Sequence, residues 1–198
     1  MSYYEFPEIQ CDSVELSGGR MPTGKDLKDH GLAHYRAGRF EDAIATFAQA
    51  QQAFLAEGNR TQAAECANDR GVAARQAARF EEAETAFDEA RKLFQELGDR
   101  KGQGQVLGNL GALAESRNQN DAAAGFYKQA IELFDEAGET DLAGETWRAL
   151  SRLQMKQGKW FAALGAYDAG LQGVKRLTPT QRLLRRLMKV SRRLMGGG

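Results

Sequence analysis

Residues 61–100 of this 198-residue chain can be laid over 101–140 and again over 141–180 without a gap, and 25–60 fit the same frame one step earlier. The matched columns carry the residue types that packing would select. Gly31, Gly71, Gly111 and Ser151 make a column of small side chains, and Ala43, Ala83, Ala123 and Ala163 make another. Phe47, Phe87, Tyr127 and Tyr167 form an aromatic column, and Ala50, Ala90, Ala130 and Gly170 a further small one. A fixed period of 40 residues constrains the fold more than composition does. A unit that short cannot bury its apolar face alone, so copies must stack around one continuous core.

Each unit reads as two amphipathic helices. Phe80, Ala83, Phe87, Ala90 and Phe94 recur at steps of three and four, which is one face of a helix and not the alternation of a strand. Gly58, Gly98 and Gly138 follow the last apolar residue of each second helix, where a left-handed cap favours glycine. Gly38 and Gly158 break the chain between the two helices of a unit, with Ala78 and Asn118 in that place in the middle units. Acids open several second helices (Glu41, Asp42, Glu81, Glu82, Asp121), on the side that the helix dipole favours. The small columns are expected to let paired helices approach closely, and the aromatic column to fill the gap between one pair and the next.

These residues resemble the tetratricopeptide-repeat family, in a variant with longer helices. Leu110-Gly111, the bulky Trp147 and an Ala-aromatic-Ala run in every unit but the last, where Gly170 replaces the final Ala, carry the likeness over about 170 of the 198 residues. The chain departs from the pattern at His30 and Arg70, where leucine is usual, and it lacks the proline that often closes the unit. The resemblance implies an all-α, right-handed solenoid of four helix hairpins over 24–60, 61–100, 101–140 and 141–177. It also implies a concave groove lined by the first helix of each hairpin. Relatives that hold the C-terminal carboxylate of heat-shock chaperones use lysines and asparagines there. Lys28 fits that pattern, but Leu32 and Asp69 stand where asparagines are needed, so that role is not carried over.

Charge is unevenly spread although the net charge is zero. From Ala169 onward there are eight Lys/Arg and no acid, against 19 basic and 27 acidic residues before it. Residues 178–195 read as a basic amphipathic capping helix: Thr178, Pro179 and Gln181 supply a capping box, and Leu183, Leu184, Leu187, Val190, Leu194 and Met195 an apolar stripe. Residues 196–198 read as an unstructured end. Residues 1–23 stand outside the repeat as an arm carrying Glu5, Glu8, Asp12 and Glu15 with Tyr3, Tyr4, Phe6 and Ile9. Nothing in the arm resembles a signal peptide, and no apolar run approaches the ~18 residues that span a bilayer. Two cysteines, Cys11 and Cys66, form no spaced framework, so a cytoplasmic setting is expected.

Catalysis is not expected, nor a cofactor or a small-molecule substrate. Gly102, Gly104 and Gly108 miss the spacing of a nucleotide-binding loop and follow a helix. His30 and His34 have metal-ligand spacing, but no acid completes a zinc motif and both are expected on the packing face. A protein-binding groove is the stronger reading. Its candidates are Lys28, Leu32 and Tyr35, then Asn68, Val72 and Arg75, then Asn109, Ala112 and Glu115. Arg148, Arg152 and Met155 follow, with Arg185, Met188, Lys189 and Arg192 from the capping helix. Arginine forks pair carboxylates and methionine adapts to apolar side chains, so the expected partner is an acidic peptide or helix. Two alternatives stay open: self-association through the acidic arm, and a nucleic-acid or anionic-membrane contact through the basic helix.

Overall fold

The computed structural model describes residues 22–171 together with 178, 179 and 182. The arm over 1–21, Cys11 within it, and nearly all of the segment expected as the capping helix therefore lie outside the described residues. At the start of that segment Pro179 and Arg182 are helical, and the Arg182 N–H donates to the Thr178 carbonyl at 3.0 Å.

Among the described residues there are eight helices and no strand. In order they are α1 (Gly24–Arg36), α2 (Phe40–Ala56), α3 (Arg60–Gln76), α4 (Phe80–Glu96), α5 (Arg100–Ser116), α6 (Asn120–Glu136), α7 (Thr140–Lys156) and α8 (Trp160–Gly170). Each packs on the helix before and the helix after it, and α3 also touches α5, which makes an α-solenoid with the odd-numbered helices side by side.

The turns repeat one device. At all seven junctions a residue with φ between 58° and 74° closes the helix, five of them glycine and two Ala78 and Asn118. After α1, Arg39 N donates to His34 O and Gly38 N to Tyr35 O, the paired bonds of a Schellman cap. The same two bonds close α3 through Arg79 to Ala74 and Ala78 to Arg75. A left-handed backbone costs a residue with a Cβ roughly 1–2 kcal/mol, so Ala78 is a strained copy of what Gly38 does freely.

The core is a spine of alanines with aromatics set into glycines. Ala43, Ala63, Ala83, Ala90, Ala123 and Ala130 are fully buried, as is Phe87. A Cβ on Gly71 would stand 2.5 Å from the Phe87 ring, one on Gly31 2.7 Å from Phe47, and one on Gly111 2.6 Å from Tyr127. That corrects the expected role of this aromatic column. Each of these rings fills a notch on the first helix of its own hairpin, not the gap to the next. A different ring makes that bridge: Phe94 of α4 packs against Gly102 of α5. The fourth hairpin departs, because Ser151 takes the glycine position and its hydroxyl donates to Ala163 O at 2.7 Å.

Ion pairs tie helices together both within and between hairpins. Arg117 donates to Glu84 at 2.6 Å and to Glu81 at 3.1 Å while its guanidinium lies 5.9 Å from the centre of the Phe80 ring. Arg60 pairs with Glu96, and Lys101 with Glu139 at 2.9 Å. Such surface pairs each contribute little, about 0–1 kcal/mol.

Candidate functional site

The odd-numbered helices turn one face toward a common hollow of about 600 Å³. Helix α3 brings Glu65, Asn68 and Asp69, α5 brings Gln105, Gly108, Asn109 and Ala112, and α7 brings Leu142, Glu145, Thr146, Ala149 and Arg152. Steps of three and four place these residues on one helical face, and the 40-residue period sets equivalent rows side by side. Phe94, Phe134 and Tyr127 from the even-numbered helices show between them. The groove therefore has an apolar floor studded with amides and charges.

Its middle is bridged by an amide pair, Asn109 Nδ2 donating to Asn68 Oδ1 at 2.8 Å. Each side-chain amide has two donor hydrogens and an acceptor oxygen, so this bond leaves most of their capacity open to a ligand. Beside it, burial holds the Asp69 carboxyl well above its ordinary range, at about 6, against the opposing pull of Lys28 and with the help of Glu65. Lys28 itself is committed: its ammonium donates to Glu65 at 2.5 Å and to Gln62 at 3.0 Å. Further along, the Tyr127 hydroxyl donates to Glu115 at 2.7 Å, and burial together with that bond pushes its ionisation up. Arg75 and Arg152 both act on Tyr127 through their charge. Neither makes an ion pair or hydrogen bond among the described residues, and the Arg75 Nε is buried without a partner. Cys66 lies fully buried behind the groove, and desolvation pushes its thiol up to about 12, which keeps it protonated and inert.

The residues expected in the groove divide. Asn68, Asn109, Ala112 and Arg152 line it. Leu32, Tyr35 and Val72 pack on the core beside it, and the Tyr35 hydroxyl accepts from Gln76 at 3.3 Å. Lys28 is tied to α3, and Glu115 is held by Tyr127 and by Lys156 at 3.3 Å. Arg148 does not line the hollow; it faces Glu145 at 3.8 Å and leans toward Gly170 of α8. Met155 lies in a separate apolar hollow at the end of the stack with Trp160, Leu164 and Tyr167. Arg185, Met188, Lys189 and Arg192 lie outside the described residues.

Most of the groove lining was missed by the sequence reading, including the charged and amide side chains of Glu65, Asp69, Gln105 and Glu145. Three of them form one column at the 40-residue period, one helical turn before Asn68 and its equivalents, so continuing the periodic step would have found them. The groove therefore holds acids at Glu65, Asp69 and Glu145 and a base at Arg152.

One further expectation changes. His30 is exposed and not on the packing face, while the half-buried His34 accepts from Arg39 Nε at 3.0 Å. The glycines at 102 and 104 are explained by packing, since a Cβ on Gly104 would meet Phe134 at 2.8 Å. Among the described residues no group of three or more His, Cys, Asp or Glu is placed to hold a metal ion, and no helix is long and apolar enough to cross a membrane.

Comparison with known proteins agrees with this architecture. A family model described as tetratricopeptide repeat matches residues 26–96 and 64–136, together more than half of the chain. No curated protein matches by sequence. Among solved structures, aspartyl phosphate phosphatase F from Bacillus subtilis is similar with a TM-score of 0.70 at 17% identity, over 75% of this chain and 39% of that one. BtubC from P. vanneervenii gives 0.65 at 20% identity, over 84% of this chain and 64% of its own. The Rap conjugation gene regulator of plasmid pLS20, in complex with the Phr* peptide, gives 0.66 at 16% identity, over 86% and 46%. This chain thus spans between 39 and 64% of the length of these structures. At such identities the likeness is one of fold.

Proposed function

We propose, from the premise that this chain belongs to the tetratricopeptide-repeat family, that it is a non-enzymatic, cytoplasmic protein-interaction scaffold whose concave groove takes a peptide or helix of a partner protein. The observation that carries this reading is the groove across α3, α5 and α7, with the Asn68–Asn109 amide pair at its centre and an unpaired Arg152 beside it. Side-chain amides match the alternating donors and acceptors of an extended backbone, and a free guanidinium suits a carboxylate. An acidic partner segment fits Arg75 and Arg152, and the sequence adds Arg185, Lys189 and Arg192 downstream. The peptide held by the plasmid regulator of similar fold is consistent with such a use. A role as an adaptor or assembly factor is part of the same proposal.

The test is selection of decapeptides from a randomised display library on the full-length chain. Asn109→Ala and Arg152→Glu are expected to weaken the selected peptides at least about tenfold, the scale of one charge-assisted hydrogen bond, with helical circular dichroism unchanged. Equal affinity for both variants would remove the groove from the account. A second reading, self-association, is favoured by the acids of the first 21 residues against the bases after Ala169. Deleting residues 1–20 and measuring mass by light scattering separates it, since only that reading expects the mass to fall by more than the deleted segment.

A further inference from the structure

Two charged side chains that line the groove, Asp69 and Arg152, and Arg75 beside it make no ion pair among the described residues. Most bases near it are already matched: Lys28 with Glu65, Arg70 with Glu89, Arg117 with Glu81 and Glu84, Lys156 with Glu115. Asp69, Arg75 and Arg152 make no hydrogen bond or ion pair among the described residues. Asp69 and Arg152 line the same hollow, on α3 and on α7, and Arg75 reaches toward it from α3 by way of Tyr127. Asp69 and Arg75 are partly desolvated, which costs stability unless a partner is supplied, whereas Arg152 is exposed and open to a ligand.

We propose that the groove selects a segment carrying one cationic and one anionic side chain, the cation held by Asp69 on α3 and the anion by Arg152 on α7. This rests on the groove being a peptide site, as argued above, and adds the chemistry of what enters it. The base is drawn to Asp69 because Lys28 donates to Glu65 and Gln62 and makes no ion pair with that carboxylate. The acid is drawn to Arg152, whose guanidinium can offer two parallel donors to one carboxylate. Neighbouring packed helices lie about 10 Å apart, so α3 and α7, with α5 between them, are separated by about 20 Å. An extended chain advances about 3.3 Å per residue. The base and the acid should therefore stand about six residues apart, with the segment between them crossing the Asn68–Asn109 pair. A uniformly acidic peptide would place like charge on Asp69 and is disfavoured.

The experiment uses the full chain and decapeptides taken from the same display selection. The expected consensus holds a Lys or Arg and an Asp or Glu at that spacing. Asp69→Asn, which keeps the side chain's size, should weaken such a peptide about tenfold or more and leave unchanged its synthetic version with the base replaced by Gln. Arg152→Gln should do the same for the acid. Asp69→Lys should recover affinity for a peptide whose base is changed to Glu. Peptides that weaken with Asn109→Ala but are indifferent to Asp69→Asn would overturn this inference while the groove stands as a peptide site. A selection that yields no binder would sink both.

Discussion

The spine of this molecule and its groove are built on opposite terms. In the spine every surface has a counterpart: Gly71 receives Phe87, Gly31 receives Phe47, and alanine columns fill the intervals. In the groove Asp69, Arg75 and Arg152 make no hydrogen bond or ion pair among the described residues. The difference teaches where stability and function reside. A solenoid needs continuous packing between neighbours to stand at all, whereas a binding surface must hold groups that are not yet satisfied. Substitutions in the two regions should accordingly act with opposite sign.

The largest effect is expected from Phe87→Ala, which empties a fully buried ring site and should cost about 3–5 kcal/mol in urea unfolding. A loss well below that would mean the glycine notch collapses, and the spine is less interlocked than described. Next comes Asp69→Asn, in the other direction. The folded Asp69 carboxyl sits at about 6 against an ordinary 3.8, so the native state binds its proton more tightly than the unfolded chain does. Wild-type stability therefore declines as pH rises from about 4 through 6, and the cost is fully present at pH 7. Replacing the group should stabilise the fold on the order of 2 kcal/mol at pH 7 and have little effect below pH 4. Stabilisation that does not depend on pH would show that burial, and not charge, is the cost.

Smaller effects sharpen the contrast. Gly71→Ala drives a Cβ into the Phe87 ring, an overpacking cost of about 1–3 kcal/mol. Higher helix propensity returns about 1 kcal/mol of it, leaving a net loss in thermal unfolding. Smallest of all, Arg152→Gln lies on an exposed side chain with no ion pair among the described residues and should shift stability by less than about 0.5 kcal/mol while weakening peptide capture. A groove variant that unfolded the chain would break the division between the two regions.

The spine was legible in the sequence because packing imposes itself on every copy of the unit. The glycine column, the aromatic column and the seven turns could be read from residue type and period. The partner of each ring was harder: Phe87 and Phe94 lie on the same helical face, and only the packing shows that one serves its own hairpin and the other the next. The groove was half legible. Rows three residues apart, such as Glu65 and Asn68, are neighbours on one face, and the rotation of the helix decides which of them looks into the hollow. Pairing is less periodic still. Nothing in the residue type of Lys28 says that Glu65 and Gln62 will occupy it, or that Arg148 will turn toward α8.

The most direct measurement of the groove as the docking place is site-specific photo-crosslinking. A photoreactive residue is placed at Ala112 on the groove floor or at Lys92, exposed on α4, and each chain is irradiated with a library-selected decapeptide. Covalent capture from position 112, suppressed by excess unlabelled peptide and absent from position 92, is the result this account predicts. Capture from position 92 with none from 112 would contradict it.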